Sequence, residues 1–125
     1  IMHYLLSIAA LCGGVSVALG AFAAHGLRGK LAENMLAAFQ TGVQYQFYHS
    51  LGLLLLVIMY KQFSESLLLW SYGFMLAGIL CFSGSLYMLA LTGNKVFGPV
   101  TPIGGVFFIV AWAILFVAGI KVGNS

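Results

Sequence analysis

The sequence predicts an all-α integral membrane protein, an antiparallel bundle of four transmembrane helices, and three observations carry that prediction. Of the 125 residues, 62% are hydrophobic and 6% are charged, a balance that no soluble domain of this length has the core to bury. Four apolar runs, roughly 4–24, 41–60, 66–91 and 102–120, each approach the ~20 residues that a helix needs to cross ~30 Å of hydrocarbon. The stretches between them are too short for a soluble domain, so residues 1–125 read as a single transmembrane domain.

The first span ends on Ala21, Phe22 and Ala23, which imitate a signal-peptide cleavage site. No basic segment precedes it, only His3, and the apolar run is long, so a retained helix is expected. Ala10, Gly14 and Ala18 recur every four residues, as do Gly73, Ala77 and Cys81 in the third span, with Gly84 continuing the ridge. Such small-residue ridges predict close packing of spans one and three, and Cys12 and Cys81 count there as small apolar residues.

Residues 30–39 place Leu31, Met35, Leu36 and Phe39 apart from Glu33 and Asn34. This pattern suits a short helix lying in the interface, preferred here over an extension of the second span. The third span should stop at Thr92, Gly93 and Asn94, since glycine accepts the left-handed conformation that closes a helix. The fourth should start with Thr101 as N-cap and Pro102 in the first turn, after an irregular approach through Gly98 and Pro99.

The charges are few and isolated, five Lys and Arg against two Asp and Glu, for a formal net charge of +3. They read as membrane-flanking charge and exclude a nucleic-acid footprint. One side of the bundle, side A, carries the chain ends with Lys61 and Lys121; the opposite side B carries Arg28, Lys30 and Lys95. The larger count leans side B toward the cytoplasm of a bacterial plasma or inner membrane.

The second span is polar over 40–50 and hydrocarbon over 51–60. Polar groups at that depth need partners or water, so this half-helix locates a candidate site. Counted from the start of the apolar run, His49 lies ~12 Å below side B. Ser83, Ser85 and Tyr87 of the third span and Thr101 of the fourth should gather at similar depth, with His25 closing the first span. On a helical wheel Thr41, Gln44, Tyr45, Tyr48, His49 and Gly52 share an arc that should face inward. Gln46 and Ser50 fall outside it, the first assigned to snorkelling and the second to backbone bonding. The expected pocket is therefore His25, Gln44, Tyr45, Tyr48, His49, Ser83, Tyr87 and Thr101, with Arg28 and Lys30 as a rim for an anionic headgroup.

Four blocks carry a family resemblance: residues 20–27 (Gly, Ala, Phe, Ala, Ala, His, Gly, Leu), 45–51 (Tyr, Gln, Phe, Tyr, His, Ser, Leu), 82–87 (Phe, Ser, Gly, Ser, Leu, Tyr) and 101–105 (Thr, Pro, Ile, Gly, Gly). In this order they resemble the domain of unknown function 423 family, small four-helix bacterial membrane proteins with relatives in animal mitochondria. Ala23 departs from the glycine usual in that family, which implies slightly looser packing there. The resemblance implies an integral membrane fold and no particular activity.

Chemistry narrows the functions further. His25 and His49 offer imidazole nitrogens for a haem or metal, yet they differ in depth and lack an orienting carboxylate. A hydrolase built on Ser83 or Ser85 with His49 would need an acid, and Glu33 and Glu65 both lie outside the spans. No enzyme, cofactor or metal is expected. A proton or small-solute transporter could use the polar half as a vestibule, but the side A half, Ser71 and Tyr72 apart, offers only hydrocarbon. The favoured expectation is a binding or accessory protein with a one-sided polar pocket. Its partners would be membrane lipids, a small amphipathic molecule, a partner transmembrane helix or a second copy of the chain.

Overall fold

A computed structural model describes residues 1–123. Four helices are long and apolar enough to cross a membrane: α1 (Met2–Leu27), α2 (Glu33–Met59), α3 (Glu65–Thr92) and α4 (Val100–Gly123), the last preceded by a 3-10 turn at Lys95–Phe97. Each is about 40 Å long at 1.5 Å per residue, so each overshoots the hydrocarbon into the interface. Short connections make successive helices antiparallel, and the described residues form an all-α bundle.

Local chemistry sets the ends. A π-helical turn, Ala23–Leu27, closes α1, after which Arg28 is extended and Gly29 turns the chain at φ +83°. Ser64 caps α3 by accepting the amide of Leu67 at 3.3 Å. Gly93 ends α3 at φ +69°, a left-handed cap as the sequence predicts. The fourth helix begins two residues earlier than expected, at Val100, because the 3-10 turn carries on into it through a bond from the Thr101 amide to the Gly98 carbonyl. Thr101 is thereby freed from capping.

Residues 33–39 do not form a separate interfacial helix; they are the first turns of α2. Their apolar side chains have a protein surface to bury against: Phe39 joins Ala23, Leu27 and Ala90 in a small core, with Met35 and Leu36 packed on it. Contact with neighbouring helices thus replaces contact with the headgroup region.

The close packing expected of the small-residue ridges on spans one and three falls elsewhere. Helix α1 packs on α2, and α3 on α4, with α2 against the second half of α3. Ala10, Gly14 and Ala18 are exposed, and the α1 seam uses the adjacent ridge of Ala9, Gly13, Ser16 and Gly20. A Cβ on Gly13 would sit 3.8 Å from Ser50, and one on Gly20 3.4 Å from Val43, so small residues there set the approach of α1 to α2. In a bilayer, where lipid tails match leucine in polarity, helix association rests on such close packing and on interhelical hydrogen bonds.

The tightest crossing joins α3 and α4. A Cβ on Gly104 would collide with the backbone nitrogen and Cα of Phe82. Phe82 belongs to the π-helical segment Ile79–Ser83, whose wider turn shifts the register of α3 at this crossing. Deeper toward side A the main core gathers Leu53, Leu56, Leu68, Met75 and Ala111.

Candidate functional site

Buried polar side chains in this bundle are bonded in tiers from one end to the other. Nearest side B, the hydroxyls of Ser85 and Thr101 lie 2.5 Å apart, joining α3 to α4. Ser83 donates to the Gly42 carbonyl at 2.6 Å, where a Cβ on Gly42 would stand 2.8 Å from the Tyr87 ring. Next comes a relay across three helices: the Tyr87 hydroxyl donates to Gln46 Oε1 at 2.6 Å, and Gln46 Nε2 donates to the Cys12 carbonyl at 2.8 Å. Farther along, Ser71 donates to the Ala111 carbonyl at 2.8 Å, and the Tyr72 hydroxyl to the Leu5 carbonyl at 2.6 Å. Polar bonding therefore extends into the side A half through Ser71 and Tyr72, the two polar residues that the sequence places among its hydrocarbon. No buried side-chain nitrogen or oxygen among the described residues lacks a partner.

His49 occupies the middle of this series. It follows Glu33, the first residue of α2, by about 24 Å along the axis, since α2 begins before the apolar run does. Its ring is 5% exposed and stacks on Phe108 with centroids 3.6 Å apart and planes 9° from parallel. Nδ1 lies 2.8 Å from the Tyr45 carbonyl, and the Trp112 indole N–H donates to Nε2 at 3.0 Å. An indole nitrogen can only donate and a carbonyl can only accept, so the ring carries its proton on Nδ1 and is neutral. Both ring nitrogens are engaged. A metal ion or a substrate proton at Nε2 would first have to displace Trp112.

Beside His49 a groove opens laterally between α2 and α4. Tyr45, Phe82, Phe108 and Trp112 line it with His49, and Pro102, Gly105, Val106 and Ile109 complete the wall. Its volume is about 480 Å³. The Tyr45 ring lies tilted against Phe82 at 4.7 Å, and its hydroxyl bonds to no described residue. The surface is thus an aromatic trough with one free hydroxyl and a neutral imidazole edge. It faces the membrane, since Ile109 at its rim is 69% exposed.

The residues expected to form one pocket are distributed over four settings. Tyr45 and His49 line the groove. Ser83, Tyr87 and Thr101 take part in interhelical bonds. Gln44 and Tyr48 are exposed on the far side of α2, against α1. His25, Arg28 and Lys30 are exposed around the α1–α2 turn and do not line the groove.

The physical reason is a rotation of α2. Its buried face runs through Phe39, Gly42, Gln46, His49, Leu53 and Leu56, roughly a quarter turn from the arc expected from polarity. Gln46 does not snorkel; it is 5% exposed and central to the relay. Ser50 does bond to backbone, the Gln46 carbonyl at 2.6 Å, as expected. Spacing held the signal that polarity obscured, since Phe39, Gly42, Gln46 and Leu53 recur at helical intervals. Phe82, Phe108 and Trp112 were indistinguishable in sequence from other aromatics of apolar spans. No group of three metal-ligating side chains occurs among the described residues.

Comparison with known proteins places the chain among membrane proteins. A family model described as protein of unknown function (DUF423) matches residues 19–105. The chain is 41% identical over 121 residues to the UPF0382 membrane protein YwdK of Bacillus subtilis, covering 96% of this chain and 98% of that one. It is 40% identical over 120 residues to a UPF0382 membrane protein of Staphylococcus haemolyticus, with the same coverage. To the UPF0382 inner membrane protein YgdD of Escherichia coli K12 it is 39% identical over 119 residues, covering 95% of this chain and 91% of that one. No solved structure matches.

Proposed function

The chain belongs to the DUF423 family of multi-pass bacterial membrane proteins, and from that premise we propose that it is a non-catalytic binding protein whose lateral aromatic groove takes a small amphipathic molecule dissolved in the bilayer. The observation that carries this reading is the Tyr45 hydroxyl, free of any protein partner at the edge of a trough walled by Phe82, Phe108 and Trp112. The aromatic faces suit an apolar or ring-bearing body, and the hydroxyl suits a single polar group at one end. The groove volume of about 480 Å³ falls within the range of small-molecule sites. Entry from the membrane needs no aqueous channel, which accords with a bundle whose buried polar side chains, among the described residues, all have partners within the protein.

A proton or solute path has less support, because His49 has both nitrogens engaged and the serines and Tyr87 hold helices together. Native mass spectrometry of the protein extracted in mild detergent tests the proposal. A bound small molecule is expected on the wild type and on Tyr48→Phe, and it should be lost from Gly105→Leu, which fills the groove from a wall position where a Cβ meets only the Phe82 ring at 3.9 Å. A protein that purifies empty, or a molecule equally retained by Gly105→Leu, refutes it. Proteoliposome flux abolished by His49→Ala would favour transport in its place.

A further inference from the structure

On the side of α2 away from the groove, Gln44 is exposed and bonds to no described residue. It lies about 17 Å along α2 from Glu33, inside the ~30 Å hydrocarbon layer that this ~40 Å helix overshoots at both ends. One turn farther in, Tyr48 is 54% exposed, and its hydroxyl is likewise unbonded. Val17 and Gly20 of α1 and Val43 and Phe47 of α2 complete a shallow apolar groove of about 270 Å³ around them. A carboxamide left in hydrocarbon forfeits two donors and an acceptor, a cost that acyl chains cannot offset.

We infer that this α1–α2 face is a homodimer interface, in which Gln44 of one copy bonds to Gln44 of another across a two-fold axis along the membrane normal. The carboxamide is self-complementary, since its NH2 donates where its oxygen accepts, so two copies satisfy each other reciprocally. Such an axis puts identical residues at identical depth. A protein of different sequence would have to supply a polar group at that level. The flanking glycine and valines permit the backbones to approach, as polar and small residues do at membrane helix interfaces. The face is separate from the aromatic groove, so the inference stands independently of the proposed ligand.

The full chain, labelled with donor and acceptor dyes and reconstituted into liposomes over a range of protein-to-lipid ratios, provides the test. Energy transfer should rise with density in the wild type, and Gln44→Leu should require about tenfold higher density for the same transfer, the effect of losing two membrane hydrogen bonds. In a Cys12→Ala, Cys81→Ala background, Val17→Cys, exposed on the same face with Gln44 left intact, should form a disulfide dimer under mild oxidant, and Ile109→Cys, exposed on α4, should not. Three results would overturn the inference: transfer unchanged by Gln44→Leu, a monomer at every density, or cross-linking through Ile109→Cys in preference to Val17→Cys.

Discussion

Trp112 donates its indole N–H to Nε2 of His49 across the seam between α2 and α4, at 3.0 Å. That bond and the bond from Nδ1 to the Tyr45 carbonyl together define the chemistry of the one histidine buried in the bundle. A donor-only indole on one nitrogen and an acceptor-only carbonyl near the other leave a single consistent tautomer. The ring is held in place by the Phe108 face beneath it. His49 is thus an element of the groove wall, with its polar atoms turned along the protein and its edge toward the opening.

The tautomer is open to direct measurement. Nitrogen NMR of protein labelled in the histidine ring should show Nδ1 protonated and Nε2 bare in His49, and Trp112→Phe should shift the Nε2 resonance while leaving Nδ1 bonded to the Tyr45 carbonyl. A proton on Nε2 in the wild type would refute the assigned bond.

The crossing of α3 and α4 gives a paired prediction from adjacent glycines. Gly104→Ala drives a methyl into the Phe82 backbone, whereas at Gly105 the same methyl reaches only the edge of the Phe82 ring at 3.9 Å. Backbone cannot rotate aside as a side chain can, so Gly104→Ala should cost at least about 2 kcal/mol, in the upper part of the range for overpacking. Gly105→Ala should be nearly neutral. Unfolding in mixed micelles with rising denaturing-detergent fraction measures both, and equal midpoints would contradict the close approach.

How much of this architecture was legible in the sequence follows from what each signal depends on. Hydrocarbon length is a property of the chain, so four spans and the Gly93 stop could be read directly. Helix rotation depends on which neighbour each face meets, and polarity misled there: Gln44 and Gln46 are chemically identical, yet one faces outward and the other lies 5% exposed between Tyr87 and the Cys12 carbonyl. The start of α2 misled in the same way, because 33–39 reads as amphipathic interface only while α2 is taken to begin at the apolar run. The groove was illegible because its walls come from aromatics on three helices that only packing brings together.

Two phenylalanines of α2 test the correction to residues 33–39. Phe39 is 1% exposed, with its ring tilted against that of Tyr87 at 4.8 Å, whereas Phe47 is 39% exposed. Phe39→Ala should therefore destabilise by about 3 kcal/mol, the cost of emptying a packed aromatic site. Phe47→Ala should change the midpoint much less, since its ring lies at the surface of the protomer. A separate interfacial helix would give Phe39→Ala the small effect.

The three-helix relay supplies the sharpest energetic prediction. In Gln46→Leu the Tyr87 hydroxyl and the Cys12 carbonyl lose their partners, and a buried hydroxyl without a partner costs about 1–3 kcal/mol. In Tyr87→Phe the Gln46 Oε1 is the group left over. Removing both ends at once deletes the unsatisfied pair along with its bond, so Gln46→Leu with Tyr87→Phe should be less destabilised than the sum of the single variants. The expected coupling is about 1 kcal/mol, within the span of membrane interhelical hydrogen bonds. A double-mutant cycle on unfolding free energies measures that coupling, and strict additivity would mean that the 2.6 Å contact between Tyr87 and Gln46 contributes nothing to holding α3 against α2.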